Sequence, residues 1–327
     1  MKKSIGIDVS MDTLDVVLYD DNLHKSKQYE NSDKGFLAIE DEILKHKKSN
    51  TMISMEATGV YHLKAAVYFE ERGYKVSIVN PLIIKRYSEM KMLRAKTDPV
   101  DARIIAEYGF NEKSYYFKPK ENKREQIAQL LKQINALQKM RTENGNRLHA
   151  IKKIPGADET AIAIYTDMKR YLKISEKEAE KRIDQLIREN YLDEYKRLIQ
   201  IPGVGKRTAS IVIAFFGKFE NFQNAKQVSS FIGLNPSPKQ SGISVKGRGS
   251  ISKKGNKYIR KMIYMATLSA SRYNKACTEL HDRLIDKKKK GRVVLIAVAN
   301  KLYRQIFAIV KYNRIYSENY KKSNVLC

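Results

Sequence analysis

Apolar and polar positions alternate in two rhythms along the first hundred residues. SIGIDVS (4–10) and DVVLYD (15–20), separated by a polar turn, read as a hairpin, and KSKQYEN (25–31) supplies a more polar third strand. Phe36, Leu37, Ile39, Ile43 and Leu44 then recur at helical spacing, and TMISMEA (51–57) is a short run of the kind a buried strand shows. A helix follows from about Val60 to Arg72, with Gly73 to stop it. KVSIVN (75–80) is a fifth strand, Pro81 opens another helix, and TDPVDARIIAEY (97–108) opens the next. The order βββαβαβα predicts an α/β sheet led by an antiparallel meander.

From Glu121 the period lengthens. Ile127, Leu130, Ile134, Leu137, Leu148 and Ile151 occupy a and d positions of one heptad frame, interrupted by Arg141 and Asn144. This pattern predicts a long helix with a coiled-coil seam, or an ordinary core helix, and a charged helical stretch at about 175–198 to fold back on it. IPGVGKRTASIVIAFFG begins at Ile201 and places a Gly-rich turn between two helical patterns. A helix-hairpin-helix has this form, its turn offering backbone N–H groups at a helix N-terminus to a phosphate through Gly203, Gly205, Lys206 and Arg207. A plain helical hairpin has it too. A helix through Phe231, a loop rich in Gly, Ser and Lys (233–261), and helices near 258–273 and 292–311 complete the chain. The expected divisions are an α/β domain over 1–115, a helical coiled-coil region over 116–196, and a mainly helical domain over 197–327.

Charge sharpens this picture. The 327 residues carry 63 Lys and Arg against 36 Asp and Glu, a net +27, which points to a polyanionic partner. From Lys239 onward 22 basic residues face four acids, so about two thirds of the excess lies in the last quarter. Hydrophobic residues at 42% exclude wholesale disorder. Cys277 and Cys327 form neither a disulfide framework nor a zinc motif, which suits a reducing cytosol. Asp8, Asp12 and Asp15 interrupt the N-terminal apolar stretch and argue against a targeting segment; the runs IVIAFF (211–216) and VVLIAVA (293–299) are far shorter than a membrane span.

Four acids stand where chemistry is expected. In a sheet of this order, an acid in the first strand, one at the end of the fourth and acids on the last helix converge at one edge: Asp8, Glu56, Asp98 and Asp101. Burying even a neutral polar group without a partner costs roughly 2 to 7 kcal/mol, so Asp8 in its apolar strand requires one. Asp98 and Asp101 have a rival reading as N-cap and N3 acids around Pro99. Taken together, four clustered carboxylates repel unless cations hold them, and two Mg²⁺ ions are the usual arrangement in phosphoryl-transfer nucleases.

These motifs, with Asp8 in GIDVS, Glu56 in MEATGVY, Asp98 and Asp101 in TDPVDA, then IPGVGKRTA, FIGLNP, QSG and KKGNKYIRK, run in order from residue 4 to about 275. In this the chain resembles the DEDD transposases of bridge-RNA-guided insertion sequences. The resemblance implies an RNase H-like, RuvC-like N-terminal domain whose four acids bind Mg²⁺, a coiled coil used for assembly, and a C-terminal transposase domain with a catalytic serine. It further implies a covalent phosphoserine, a noncoding bridge RNA that pairs with donor and target DNA, a homo-oligomer (dimer or dimer of dimers), and a prokaryotic, cytoplasmic, nucleoid-associated setting. The family motif falls on Ser241, with Ser244 second; on local sequence alone Ser241 is a turn residue beside Gly242. Lys246, Arg248, Lys253, Lys254, Lys257, Arg260 and Lys261 are the candidates for gripping phosphates. Competing readings are a junction nuclease using the same acids with water as nucleophile, and a non-catalytic nucleic-acid-binding protein. A sugar-kinase-like ATPase is disfavoured because no Gly-rich phosphate loop follows Asp8.

Overall fold

The computed structural model describes residues 3–20, 23–44, 51–92, 98–112, 115–119, 121–237, 240–241, 245–246, 250–252 and 255–318. The chain divides into two compact units, Met1–Lys120 and Glu121–Cys327.

The N-terminal unit contains the expected sheet. Strands β1 (Lys3–Val9), β2 (Thr13–Asp20) and β3 (Leu23–Glu30) form an antiparallel meander, and β4 (Thr51–Glu56) and β5 (Lys75–Val79) extend it in parallel, in the order β3-β2-β1-β4-β5. Strand alternation gives the two faces different characters. Ile5, Ile7 and Val9 of β1 and Ile53 and Met55 of β4 form one core with Phe36 and Ile39 of α1 (Asp33–Ile39) and Ala65, Ala66 and Phe69 of α2 (His62–Glu71). A π-helical turn, Glu40–Leu44, continues α1, and its buried Glu40 accepts hydrogen bonds from the Tyr74 and Tyr68 hydroxyls. After β5 come α3 (Pro81–Met90), capped by Asn80, and α4 (Asp98–Asn111).

Where α4 crosses β1 and β4 the sheet presents small residues, while Val17 and Tyr19 of β2 pack beside them. A Cβ on Gly6 would lie 2.0 Å from the Ala102 carbonyl oxygen and 2.3 Å from the Ala106 nitrogen, and one on Gly109 would lie 2.1 Å from Ser54 Oγ and 2.8 Å from Ser4 Oγ. The helix backbone therefore rests on the sheet more closely than any larger side chain would allow.

Among the described residues, the C-terminal unit is helical apart from two small hairpin ladders. Helices α5 (Asn122–Ile151) and α6 (Glu159–Asn190) form a long hairpin, with Asp158 capping α6 by accepting from the Ala161 N–H. Along the α5 seam Ile127, Ile134, Leu137 and Leu148 are buried. Its polar interruptions find partners on α6: Arg141 Nε donates to Glu176 at 2.6 Å, and Asn144 Nδ2 donates to the Tyr165 carbonyl at 2.7 Å. Ile127, Leu131 and Ile134 of α5 and Ile183, Leu186 and Ile187 of α6 share one core with the helices that follow. Those are α7 (Leu192–Ile199), α8 (Lys206–Phe216), α9 (Ala225–Ile232), α10 (Lys257–Tyr273), α11 (Lys275–Asp286) and α12 (Gly291–Lys311). By length and composition α12 could cross a membrane, which the run at 293–299 does not suggest. Its apolar side, including Val294, Val298, Leu302 and Tyr303, is buried in the core of this unit.

Candidate active site and nucleic-acid interface

Asp8 and Glu56 are brought together by strand register. Ile7 pairs with Met55 in the parallel β1–β4 ladder, so the next step sets Asp8 beside Glu56, on one face, about 4.8 Å apart in backbone terms. Both stand at the carboxyl ends of parallel strands, where α/β sheets place their sites. Helix α4 approaches the same end. Ala102 and Ala106 cover Gly6, whereas Gly109, further along the helix, covers Ser4 and Ser54; α4 therefore runs against β1, and its first turn, with Asp101 and Asp98, points toward Asp8. Asp8, Glu56 and Asp101 are each half-buried, and the Asp98 side chain lies outside the described residues. Among the described residues no three His, Cys, Asp or Glu side chains gather closely enough to hold a metal ion.

Sequence reasoning missed Asp15. It pairs directly with Asp8 across the β1–β2 ladder, and Gln28 Nε2 donates to both of its oxygens, at 3.1 and 3.2 Å. Like charges opposite one another in a ladder are destabilising unless a cation or proton separates them. The signal was present: a tight turn between Ser10 and Thr13, closed by the Thr13 N–H donating to Ser10 Oγ at 2.9 Å, puts residues 8 and 15 opposite each other. Asn31 fixes this edge by donating from Nδ2 to the Ser10 carbonyl (2.9 Å) and to the Tyr61 carbonyl (3.3 Å), so that the loops after β1 and β4 are tied together. His62, buried behind the β4 loop with Nδ1 3.5 Å from the Thr58 oxygen, has its pKa lowered by burial, an effect the Thr58 carbonyl opposes.

Ser241 belongs to the C-terminal unit. Strands β6 (Pro236–Ser237) and β9 (Ser250–Ile251) pair with each other, and β7 (Gln240–Ser241) pairs with β8 (Val245–Lys246), Ser241 opposite Val245. These are nested ladders of a hairpin, with Ser241 next to its tip. The Ser241 and Lys246 side chains, and the whole of Ser244, Arg248, Lys253 and Lys254, lie outside the described residues. At the base of the hairpin Arg260 Nη1 donates to the carbonyls of Ile232 (2.9 Å) and Gly255 (3.3 Å). Arg260 thus staples the hairpin to its flanking helices, whereas Lys257 and Lys261 on the same helix are exposed.

The turn between α7 and α8 has two sides. Gly203, at φ +96°, faces α10: a Cβ there would lie 2.5 Å from that of Ala270. Gly205 is exposed and caps α8 with no side-chain hydrogen bond, and Lys206 is exposed beside it. Arg207 turns inward. Its Nε and Nη2 are buried, and its charge and its hydrogen bond to Tyr258 oppose the burial that raises the Tyr258 pKa.

Residues 5–152 match the DEDD-type IS110 family, described as "Transposase", and residues 195–282 match "Transposase IS116/IS110/IS902 family". The chain is 31% identical over 320 residues to a pilin gene-inverting protein of Moraxella lacunata, covering 96% of this chain and 97% of that one. A pilin gene-inverting protein of Moraxella bovis is likewise 31% identical, over 322 residues, covering 96% and 97%. Among solved structures, T. thermophilus RuvC in complex with a Holliday junction substrate aligns with 32% of this chain and 90% of its own, at 14% identity and a TM-score of 0.25.

Proposed function

The chain belongs to the IS116/IS110/IS902 family of transposases and is an enzyme that recombines DNA, and from that premise we propose how its residues divide the work. Asp8, Glu56, Asp98 and Asp101 form the phosphoryl-transfer centre of an RNase H-like domain, and Ser241 is the nucleophile. The observation that carries the reading is the register that sets Asp8 beside Glu56 at the carboxyl ends of β1 and β4, with the first turn of α4 directed to the same end. The strand order β3-β2-β1-β4-β5 supports it.

The donor chemistry suits a hard divalent cation, since the acids offer only oxygen. Two Mg²⁺ ions bound by them would polarise the attacking oxygen and stabilise the leaving one. The chain's own contribution is to hold carboxylates of like charge in register and to present a serine on a stapled hairpin. In the step proposed, the Ser241 oxygen forms a bond to phosphorus while the bond to one sugar oxygen breaks. The serine proton passes to a nearby base and the departing sugar oxygen is protonated. Rejoining is the reverse, with another sugar hydroxyl as attacker, so the phosphoserine conserves the bond and no ATP is consumed.

The exposed N-terminus of α8 and the cations Lys206, Lys246, Arg248, Lys253, Lys254, Lys257 and Lys261 are read as contacts to DNA or to a bridge RNA that selects donor and target. The α5–α6 hairpin is read as a coiled-coil arm for assembly into a dimer or tetramer, acting in the cytoplasm on the cell's own DNA. Identity to pilin gene-inverting proteins along nearly the whole chain favours a second use of the same chemistry, inversion of a DNA segment.

The test is to express the gene with its native flanking DNA, purify the protein, sequence the nucleic acid that accompanies it, and assay recombination. A discrete structured RNA from the flank, required for recombination, is the expected result. Recombination without RNA removes the guide from the proposal, and cleavage with no covalent adduct replaces the serine mechanism with a water-dependent nuclease.

A further inference from the structure

A groove elsewhere in the C-terminal unit is lined with cations that the sequence motifs do not single out. One cavity of about 780 Å³ opens between α9, α11 and α12, and a second of about 840 Å³ continues it toward residues 314–318. The two share Ala276, Glu279, Lys301 and Arg304, so they form one continuous channel. Helical spacing explains its shape. On α12, Ala297, Lys301, Arg304 and Ala308 fall on one stripe; on α11, Ala276, Leu280 and Arg283 do the same. Small alanines leave the gap between the helices unfilled, and long cationic side chains stand along it.

Lys226, Arg283, Lys301 and Arg304 are all exposed in this groove, and none makes an ion pair with a described residue, although Glu279 stands among them. Holding four like charges in one concave channel is unfavourable, and the favourable remedy is a polyanion. The floor adds neutral hydrogen-bonding groups. Asn300 is held by Ser229 Oγ, which donates to its Oδ1 at 2.6 Å, and Asn235 lines the end nearest the Ser241 hairpin. Asn235 is six residues from Ser241, a chain reach of at most about 20 Å.

We propose that this groove binds the phosphodiester backbone of one nucleic-acid strand and leads it toward the Ser241 hairpin. Adjacent packed helices lie about 8 to 10 Å axis to axis, so the trough between their exposed faces matches the backbone of one strand, whereas a duplex would only rest across its rim. The proposal does not depend on the carboxylate centre or on Ser241 as nucleophile.

The intact chain tests it. Affinity for unstructured RNA and DNA oligonucleotides of one sequence, and for the corresponding duplex, is measured across a salt series for wild type, Lys301→Gln/Arg304→Gln, and Lys287→Gln/Lys289→Gln. The last pair makes the same charge change on the exposed turn after α11. The groove variant is expected to lose affinity for single strands on the order of tenfold and to flatten the log–log salt slope by about 1.4, that is about 0.7 per lost phosphate contact. The turn variant keeps the wild-type slope. Loss with RNA alone identifies a guide strand, loss with DNA alone a substrate strand, and loss with both a shared path. Equal slopes for groove and turn variants, or an effect as large on duplex as on single strands, overturns the proposal. Should the groove variant unfold early in a thermal melt, Lys226→Gln/Arg283→Gln on the opposite wall replaces it.

Discussion

The two compact units are built for opposite electrostatic tasks. Residues 1–120 hold 20 Lys and Arg against 18 Asp and Glu, a net +2, while the remaining 207 residues hold 43 against 18, a net +25. The first unit is near neutral overall yet concentrates acids at one sheet edge, where Asp15 faces Asp8 and Glu56 adjoins it. The second distributes cations along helices and around a groove. Chemistry on a phosphate needs a few negative ligands held rigidly, whereas holding a long polyanion needs many positive contacts of modest individual strength. A single chain carries both properties in two separate cores.

Variants that separate the two tasks break or sharpen this contrast. The largest effect is expected from Asp8→Asn, which lowers recombination by at least about a thousandfold while nucleic-acid affinity and its salt slope stay unchanged. A parallel loss of affinity would show that the acids serve binding. Next is Gly6→Ala. Its methyl has no room beneath Ala102 and Ala106, and shifting α4 should cost about 1 to 3 kcal/mol and move Asp101, measured by denaturant unfolding together with activity.

In the basic unit, Arg141→Ala removes the partner of Glu176, which is 9% exposed; because the arginine itself is partly solvated, a loss of about 1 to 2 kcal/mol is expected from the same measurement. The smallest effect concerns pH. Burial raises the pKa of Glu194, with Arg124 and Lys218 opposing it. The native state therefore keeps its proton above the unfolded pKa near 4.5, and stability falls as pH rises from there to the raised folded value, beyond which the loss is constant. Glu194→Gln should be the more stable protein at neutral pH, with the difference from wild type shrinking below pH about 4.5 in thermal melts.

Much of the sheet was legible because its strands are short apolar runs bounded by polar turns, and the start of α4 because TDPVDA marks it. The long α5 seam followed from its heptads. What was not legible arose from close packing and from polar surfaces. Ser4, Gly6 and Ser54 read as breaks in apolar strands, yet they form the face that lets α4 approach. No Gly or Pro separates helix α11 from α10, and its start depends on Asn274, a fully buried side chain that accepts from the Cys277 N–H and donates to Pro202 and Gln305. Without α11 the groove could not be foreseen. Arg260 was expected on phosphate because basic residues cluster near Ser241, but only the structure reveals the carbonyls that occupy its Nη1.

The proposed mechanism joins acids of one unit and a serine of the other in one reaction. Its most direct test is to incubate wild type and Asp8→Asn with element-end DNA, trap any covalent protein–DNA product, and map the modified residue by mass spectrometry. The expected result is a phosphodiester on Ser241 in the wild type and none in Asp8→Asn. An adduct on another residue, an adduct that survives Asp8→Asn, or cleaved DNA with no adduct in the wild type would contradict it.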